Sequence, residues 1–191
     1  MNTKSTFNFV EQLNLLPKEA LEACYKCFKK ERLEKGAFVI KEQQYCNKVH
    51  FIEKGAARAF SYKKGKEVTN WFAFENEALT SYYSFMTQKQ SRENIQIEED
   101  AILYSIERKD LERLYQEFHG IERLGRKIIE YYYNWQEERI YSLQCLSAKE
   151  RYLQLMEKER HLLQRATLGQ VASYLGITQE TLSRIRKEIL F

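Results

Sequence analysis

The sequence predicts an α+β fold: an antiparallel β-roll of the double-stranded β-helix or jelly-roll type, a long helix after it, and a small helical unit at the end. Three observations carry this expectation. Residues 32–106 hold short runs of strand-forming residues separated by glycine and lysine turns. A proline-free stretch from about Ile121 to Leu146 repeats apolar residues at three- and four-residue steps. The last segment opens two helices with capping-box sequences and sets a glycine between two short amphipathic stretches. The expected division is 1–118 for the roll with its flanking helices, 119–146 for the long helix and 147–191 for the terminal helical domain.

The chain opens with helical character. Leu13, Leu16, Leu21, Cys24, Tyr25 and Phe28 recur at mixed three and four spacings, and Pro17 suits the first turn of the helix after it. From Arg32 the period changes to two. Phe38–Ile40 and Val49–Ile52 read as strands, and Gly55 divides the second from a further strand over Ala56–Tyr62. Lys63, Lys64, Gly65 and Lys66 fit a hairpin turn into Glu67–Phe72, because Gly65 takes a positive φ without a side-chain penalty. The less regular stretch Glu75–Met86 connects the two halves of the roll, with more strands at Asn94–Ile97 and Ala101–Ile106. Arg108–Phe118 reads as a short helix with Leu111, Leu114, Tyr115 and Phe118 on one side.

In the long helix, Ile121, Leu124, Ile128, Tyr131 and Trp135 follow alternating three and four steps until Glu138 interrupts the seam. Two uses of that seam are open. It packs on the chain's own roll, or it pairs with the same helix of a second copy across a two-fold axis. The position of the helix just before a DNA-reading candidate favours the homodimer.

That candidate lies between Thr167 and Ile189. Ser147 with Glu150, and Thr167 with Gln170, have capping-box spacing, so helices start at Ala148 and Leu168. Leu168, Val171, Ala172 and Leu175 form an inner side, Gly176 turns the chain, and Thr178 caps a helix over Gln179–Ile189. This last helix sets Leu182, Ile185 and Ile189 on one face and Gln179, Glu180, Ser183, Arg184 and Lys187 on the others. Glutamine can pair with adenine, glutamate can accept from cytosine, and arginine can donate twice to guanine in the major groove. The predicted base readers are therefore Gln179, Glu180 and Arg184, with Thr167, Thr178, Thr181, Ser183 and Lys187 as phosphate contacts. The partner expected is duplex DNA.

Composition sets the outer bounds. The 191 residues are 43% hydrophobic and 14% aromatic with one proline, which describes an ordered globular chain. No stretch nears the roughly 18 apolar residues of a membrane span, and no basic start runs into a long apolar segment. A soluble, cytoplasmic protein without a membrane partner is expected. Of the formal charge of +4, the segment from Ala148 onward carries +3, from eight basic residues against five acidic ones. Cys24, Cys27, Cys46 and Cys145 are too few and too irregular for a disulfide scaffold, and read as reduced thiols.

With VASYLGITQETLSRIR (Val171–Arg186), FIEKGAARAFSYKKGKEVTNWF and ENEALTSYYSFMTQKQSRENIQIEEDA in place, the chain resembles the Crp/Fnr family of bacterial transcription regulators, particularly its divergent Bacteroidetes members. The resemblance implies a cyclic-nucleotide-binding-like roll, a dimerisation helix and a terminal helix-turn-helix, acting as a homodimer on a two-fold-related DNA site, with RNA polymerase as a further partner. It places base reading at the same Gln179, Glu180 and Arg184, where the family's frequent arginine at position 179 is replaced by glutamine. The chain ends at Phe191, so the family's wing is expected to be reduced or absent, with DNA binding leaning on dimerisation and on Lys or Arg contacts.

The family's effector pocket uses a glycine-glutamate pair and an arginine followed by serine or threonine and alanine. Here the matching stretches read Glu75-Asn76-Glu77-Ala78 and Gln90-Ser91-Arg92-Glu93, so the candidate pocket is Glu77, Ser91 and Arg92 with the arginine out of order. Glu93 next to it is unfavourable for an anionic phosphate. An effector other than a cyclic nucleotide, or none, is expected. Some relatives hold an iron-sulfur cluster, but the four cysteines do not complete that ligand pattern, and His50, His119 and His161 are dispersed, so no cofactor and no metal are expected. No nucleophile elbow, phosphate-cradling glycine loop or acid-base pair points to an enzyme. The alternative kept open is a small-molecule sensor or protein-interaction module with a degenerate DNA-binding domain.

Overall fold

The computed structural model describes Leu13 and residues 15–190. Helix α1 (Lys18–Cys27) leads into six strands: β1 (Lys29–Leu33), β2 (Phe38–Ile40), β3 (Lys48–Lys63), β4 (Lys66–Ala73), β5 (Ala78–Leu79) and, after the short helix α2 (Tyr82–Thr87), β6 (Asn94–Glu107). All pairings are antiparallel, in the order β1-β6-β3-β4, with β2 also on β6 and β5 also on β3. The two long strands each change partners along their length. The first part of β3 pairs β5 and its last part pairs β4, while β6 meets β2 first and β1 later. That exchange of partners folds the sheet around a buried interior, lined by Ile52, Ala57, Ala59, Leu79, Ile95, Ile97 and Leu103.

Gly55 does not divide two strands as its sequence suggested. β3 runs through it with register shifts from Ile52 to Ala57, and Gly55 has φ of 104°. A Cβ there would stand 2.9 Å from the Ala101 Cα and from the Asp100 carbonyl oxygen. Glycine is required because β6 crosses the bulge at backbone contact. The predicted strands Asn94–Ile97 and Ala101–Ile106 are likewise one strand, β6. Four short elements carried no legible signal: β1, β5, α2 and the helix over Arg160–Arg165. β1 reads KKERL, a charged sequence that forms a strand because its backbone pairs with residues 101–105 of β6 at the sheet edge.

Beyond the sheet come α3 (Arg108–Glu117) and the long helix α4 (His119–Cys145). They are followed by α5 (Ala148–Lys158), α6 (Arg160–Arg165), α7 (Leu168–Tyr174) and α8 (Gln179–Leu190). Both predicted capping boxes are present, Ser147 with Glu150 and Thr167 with Gln170. Among the described residues no helix is long and apolar enough to cross a membrane.

The apolar seam of α4 lies against the chain itself. Ile121 and Leu124 are 4% and 6% exposed and pack, with Ile128, on Phe51, Ile106, Leu114 and α1. Trp135 packs on the cluster formed by the terminal helices, and the neighbour of half-buried Tyr131, Tyr132, is stapled to β5. The Tyr132 hydroxyl accepts from the Ala78 amide (2.9 Å) and donates to the Ala78 carbonyl (3.1 Å). The five residues Ile121, Leu124, Ile128, Tyr131 and Trp135 are thus largely covered within one copy, because a helix beside a sheet buries its most apolar stripe first. The face left open carries Ile129, Tyr133 and Ile140, at 43%, 64% and 49% exposure, with Gln136 completing 4-3-4 steps.

Candidate nucleic-acid interface and effector pocket

The terminal helix pair is built from local signals. Thr167 accepts from the Gln170 amide (3.3 Å), and Gln170 Oε1 accepts from the Thr167 amide (2.9 Å), fixing the start of α7. Gly176, with φ of 67°, turns the chain. Thr178 Oγ1 then accepts from the Thr181 amide (3.2 Å) and lies 3.1 Å from the Thr181 hydroxyl, capping α8. Leu182 and Ile185 are buried against Val171 and Ala172 of α7, Leu175 at its end, and Tyr152 and Leu155 of α5.

The outer face of α8 is free. Gln179, Glu180, Arg184 and Lys187 are all exposed, and the last three fall at four- and three-residue steps along one stripe. Glu180 is held below the usual carboxylate range by its own backbone amide first and the Thr178 hydroxyl second. Of the other predicted phosphate contacts, Thr167 is exposed but engaged as a cap, Thr178 and Thr181 are engaged with each other, and Ser183 is half-buried.

The inner side of the pair is tied to the sheet by charge. Arg165 at the end of α6 donates from Nε and Nη2 to both oxygens of Glu99 (2.8 and 2.8 Å), and from Nη1 and Nη2 to both oxygens of Glu75 (2.7 and 3.0 Å). Burial by itself would raise the Glu75 carboxyl; these bonds, with amide donors that include Gly55, outweigh it and bring it down to about 2. Gln170 Nε2 donates to Glu98 (2.9 Å), whose other oxygen receives Nε of Arg58 (2.7 Å), while Arg58 Nη2 reaches Glu67 (2.8 Å). Ser173 of α7 accepts from the Thr69 amide (2.8 Å) and donates to the Glu67 carbonyl (3.2 Å). Ala56 and Phe74 of the roll share an apolar cluster with Tyr152, Leu162 and Tyr174 beneath these bonds. Sequence reasoning missed Arg58 and Arg165 as clamps. The signal for Arg58 was present in AARAF, an arginine among small apolar residues in a strand, where burial demands a partner.

The predicted effector residues are not brought together. Glu77 is buried and its Oε2 accepts from the Phe74 amide (2.9 Å), closing its own turn. Ser91 is buried 2.8 Å from the Ser81 hydroxyl and donates to the Glu93 carbonyl (2.7 Å). Arg92 is exposed and turned outward, its guanidinium carbon 3.8 Å from the centre of the Tyr83 ring and Nη2 2.8 Å from the Tyr83 hydroxyl. Glu93 accepts from Asn70 (2.9 Å), and burial pushes its carboxyl up. A cyclic phosphate would meet that carboxyl here in place of an arginine. Between the roll and α4 lies a cavity of about 530 Å³ whose wall is mostly apolar, including Trp71, Phe72, Phe85, Met86, Ile128 and Trp135. Cys24 is buried, and burial first, then Cys27, pushes its thiol up to about 11.

The geometry defines a class: an antiparallel roll, a long helix laid against it, and a two-sided terminal helix pair docked on its outer wall. Residues 30–118 match the family model of the cyclic nucleotide-binding domain. Among solved structures, CooA from Carboxydothermus hydrogenoformans, in a mutant form, superposes with a TM-score of 0.73 at 17% identity, over 98% of this chain and 85% of that one. FixK2 from Bradyrhizobium japonicum gives 0.70 at 18%, over 85% and 84%. A protein of Eubacterium rectale assigned to the Crp/Fnr family of transcriptional regulators gives 0.73 at 15%, over 96% and 88%. No curated protein matches the sequence. The chain has the Crp/Fnr fold, and its roll carries the sequence signature of the cyclic nucleotide-binding domain.

Proposed function

We propose that this protein is a sequence-specific DNA-binding transcription regulator of the Crp/Fnr type, with α7 and α8 as its helix-turn-helix. The observation that carries this reading is the sidedness of α8: Leu182 and Ile185 are buried while Gln179, Glu180 and Arg184 stand exposed at its first turns. Those three read bases, and Lys187 contacts phosphate. The protein acts as a homodimer, and the face that pairs is the open side of α4 around Ile129, Tyr133 and Ile140. The test is binding to a duplex selected from random sequence. Arg184→Ala is expected to weaken the selected duplex about tenfold or more while barely changing a scrambled one. Equal losses on both would remove the base-reading role, and no binding by a verified dimer at low salt would favour a sensor with a degenerate DNA-binding domain.

The apolar cavity supports an effector of a chemistry other than a cyclic nucleotide. An apolar or aromatic small molecule held between the roll and α4 would touch the helix that the dimer shares. Displacement of a fluorescent apolar dye by candidate effectors tests this, with cyclic AMP expected to leave both the dye signal and Tm unchanged.

A further inference from the structure

The β3–β4 hairpin belongs to the roll and lies outside the helix-turn-helix. Its tip, Lys63-Lys64-Gly65-Lys66, is exposed throughout and carries three lysines in four positions. Lys64 and Gly65 have φ of 53° and 77°, the paired left-handed positions of a type I′ turn, so the tip is a tight two-residue connection that keeps the twist of its strands. The terminal helix pair fixes where it points. Ser173 of α7 holds the Thr69 amide and the Glu67 carbonyl on β4, and Lys66 follows one residue beyond that clamp, about 3.3 Å along the strand. Glu180 in the first turn of α8 is within electrostatic reach of Lys66, whose charge adds a small effect to the amide and hydroxyl that already lower that carboxyl. The acid beside the tip, Glu67, is committed to Arg58. Among the described residues none of the three lysines has an ion-pair partner.

We propose that the lysine tip of the β3–β4 hairpin and the outer face of α8 form one continuous surface for duplex DNA, the lysines contacting backbone phosphates beside the groove that α8 enters. The proposal rests on the DNA-binding reading. Three lysines at the tip, with the adjacent Glu67 already paired to Arg58, suit a row of phosphates, and a lysine on a flexible stem meets a phosphate as a point charge without demanding its orientation. The roll thereby supplies affinity and α8 supplies discrimination.

The experiment compares the unaltered protein with the triple variant Lys63→Gln/Lys64→Asn/Lys66→Gln on selected and scrambled duplexes across a salt series. Asparagine at position 64 tolerates the left-handed backbone, so the turn is kept. Removing one lysine from a phosphate should flatten the slope of log K against log salt by about 0.9, hence by up to about 2.7 for the triple variant, equally on both duplexes. Lys66→Gln alone should remove about 0.9, and the charge-keeping Lys63→Arg/Lys66→Arg should hold the original slope. An unchanged slope in the triple variant overturns the proposal and leaves the tip to an acidic protein surface. A loss confined to the selected duplex overturns it as well, since phosphates carry no sequence. Absence of any binding by the unaltered protein would fell the DNA reading itself, and the hairpin proposal with it.

Discussion

The loop over residues 88–93 and the first turns of α8 are the two places where the sequence offers polar groups to a ligand, and the fold treats them in opposite ways. In the loop, Ser91 bonds to Ser81 and to the Glu93 carbonyl, Glu93 receives Asn70, and Arg92 lies on Tyr83. On α8, the local bonds end at the Thr178 cap, and the side chains of Gln179, Arg184 and Lys187 extend into solvent. A group whose donors and acceptors are already satisfied inside the protein must break those bonds to take a ligand, whereas an exposed one exchanges only water. The loop resembles a binding loop in sequence and serves as a structural turn. On the proposed reading, the helix is the one prepared for a partner.

The largest expected effect comes from the clamp that fixes where the prepared helix sits. Arg165→Leu removes four charge-assisted bonds and leaves Glu75 and Glu99 facing each other, so a loss of about 2 kcal/mol in urea unfolding is expected. An unchanged midpoint would mean that the helix pair is held by its apolar cluster alone. The same clamp has a pH signature. The Glu75 carboxyl drops from an ordinary 4.5 to about 2 on folding, so its contribution is complete above 4.5 and is lost as pH falls toward 2. On α8, Arg184→Ala should leave the unfolding midpoint within about 0.5 kcal/mol while reducing selected-duplex binding, which separates a partner-facing group from a structural one.

Smaller effects are expected from the loop. Burial raises the Glu93 carboxyl, so the folded protein holds a proton there more tightly than the unfolded chain; the associated stability is present at low pH and is lost as pH rises above 4.5. Glu93→Gln should therefore raise Tm at pH 7 and remove that slope, and a lower Tm would contradict the burial argument. Arg92→Ala should cost about 0.5 kcal/mol, the scale of one exposed cation-ring contact, with no change in effector response. A lost response would restore Arg92 to a ligand site and break the contrast between loop and helix.

Much of this fold was legible because its signals are local. The Thr167–Gln170 box, Gly176, and the spacing of Leu182 and Ile185 sit within a few residues of the groups they organise, and the structure has each of them in its expected role. The hairpin at Lys64 and Gly65 was legible for the same reason. The seam of α4 was legible as apolar, but its partner was not, since periodicity records that a stripe must be covered and is silent about what covers it. Arg165 and Ser173 were illegible as clamps because their partners lie at separations in sequence that range from 66 to 106 residues, whereas for Arg58 the need of a partner was legible and its identity was not.

The sequence by itself determined the caps, the turns, the two faces of α8 and the residues that stand on its outer side, since these depend on neighbours three or four positions away. Only the tertiary structure decided that Gly55 lies inside one continuous strand, that Arg92 turns outward, that Ile121 and Leu124 are buried within the same copy, and that β4, next to its lysine turn, is tied to α7 through Ser173. Each of those outcomes depends on which distant segment comes to lie alongside, and that follows from the closure of the whole sheet and the burial of its apolar faces.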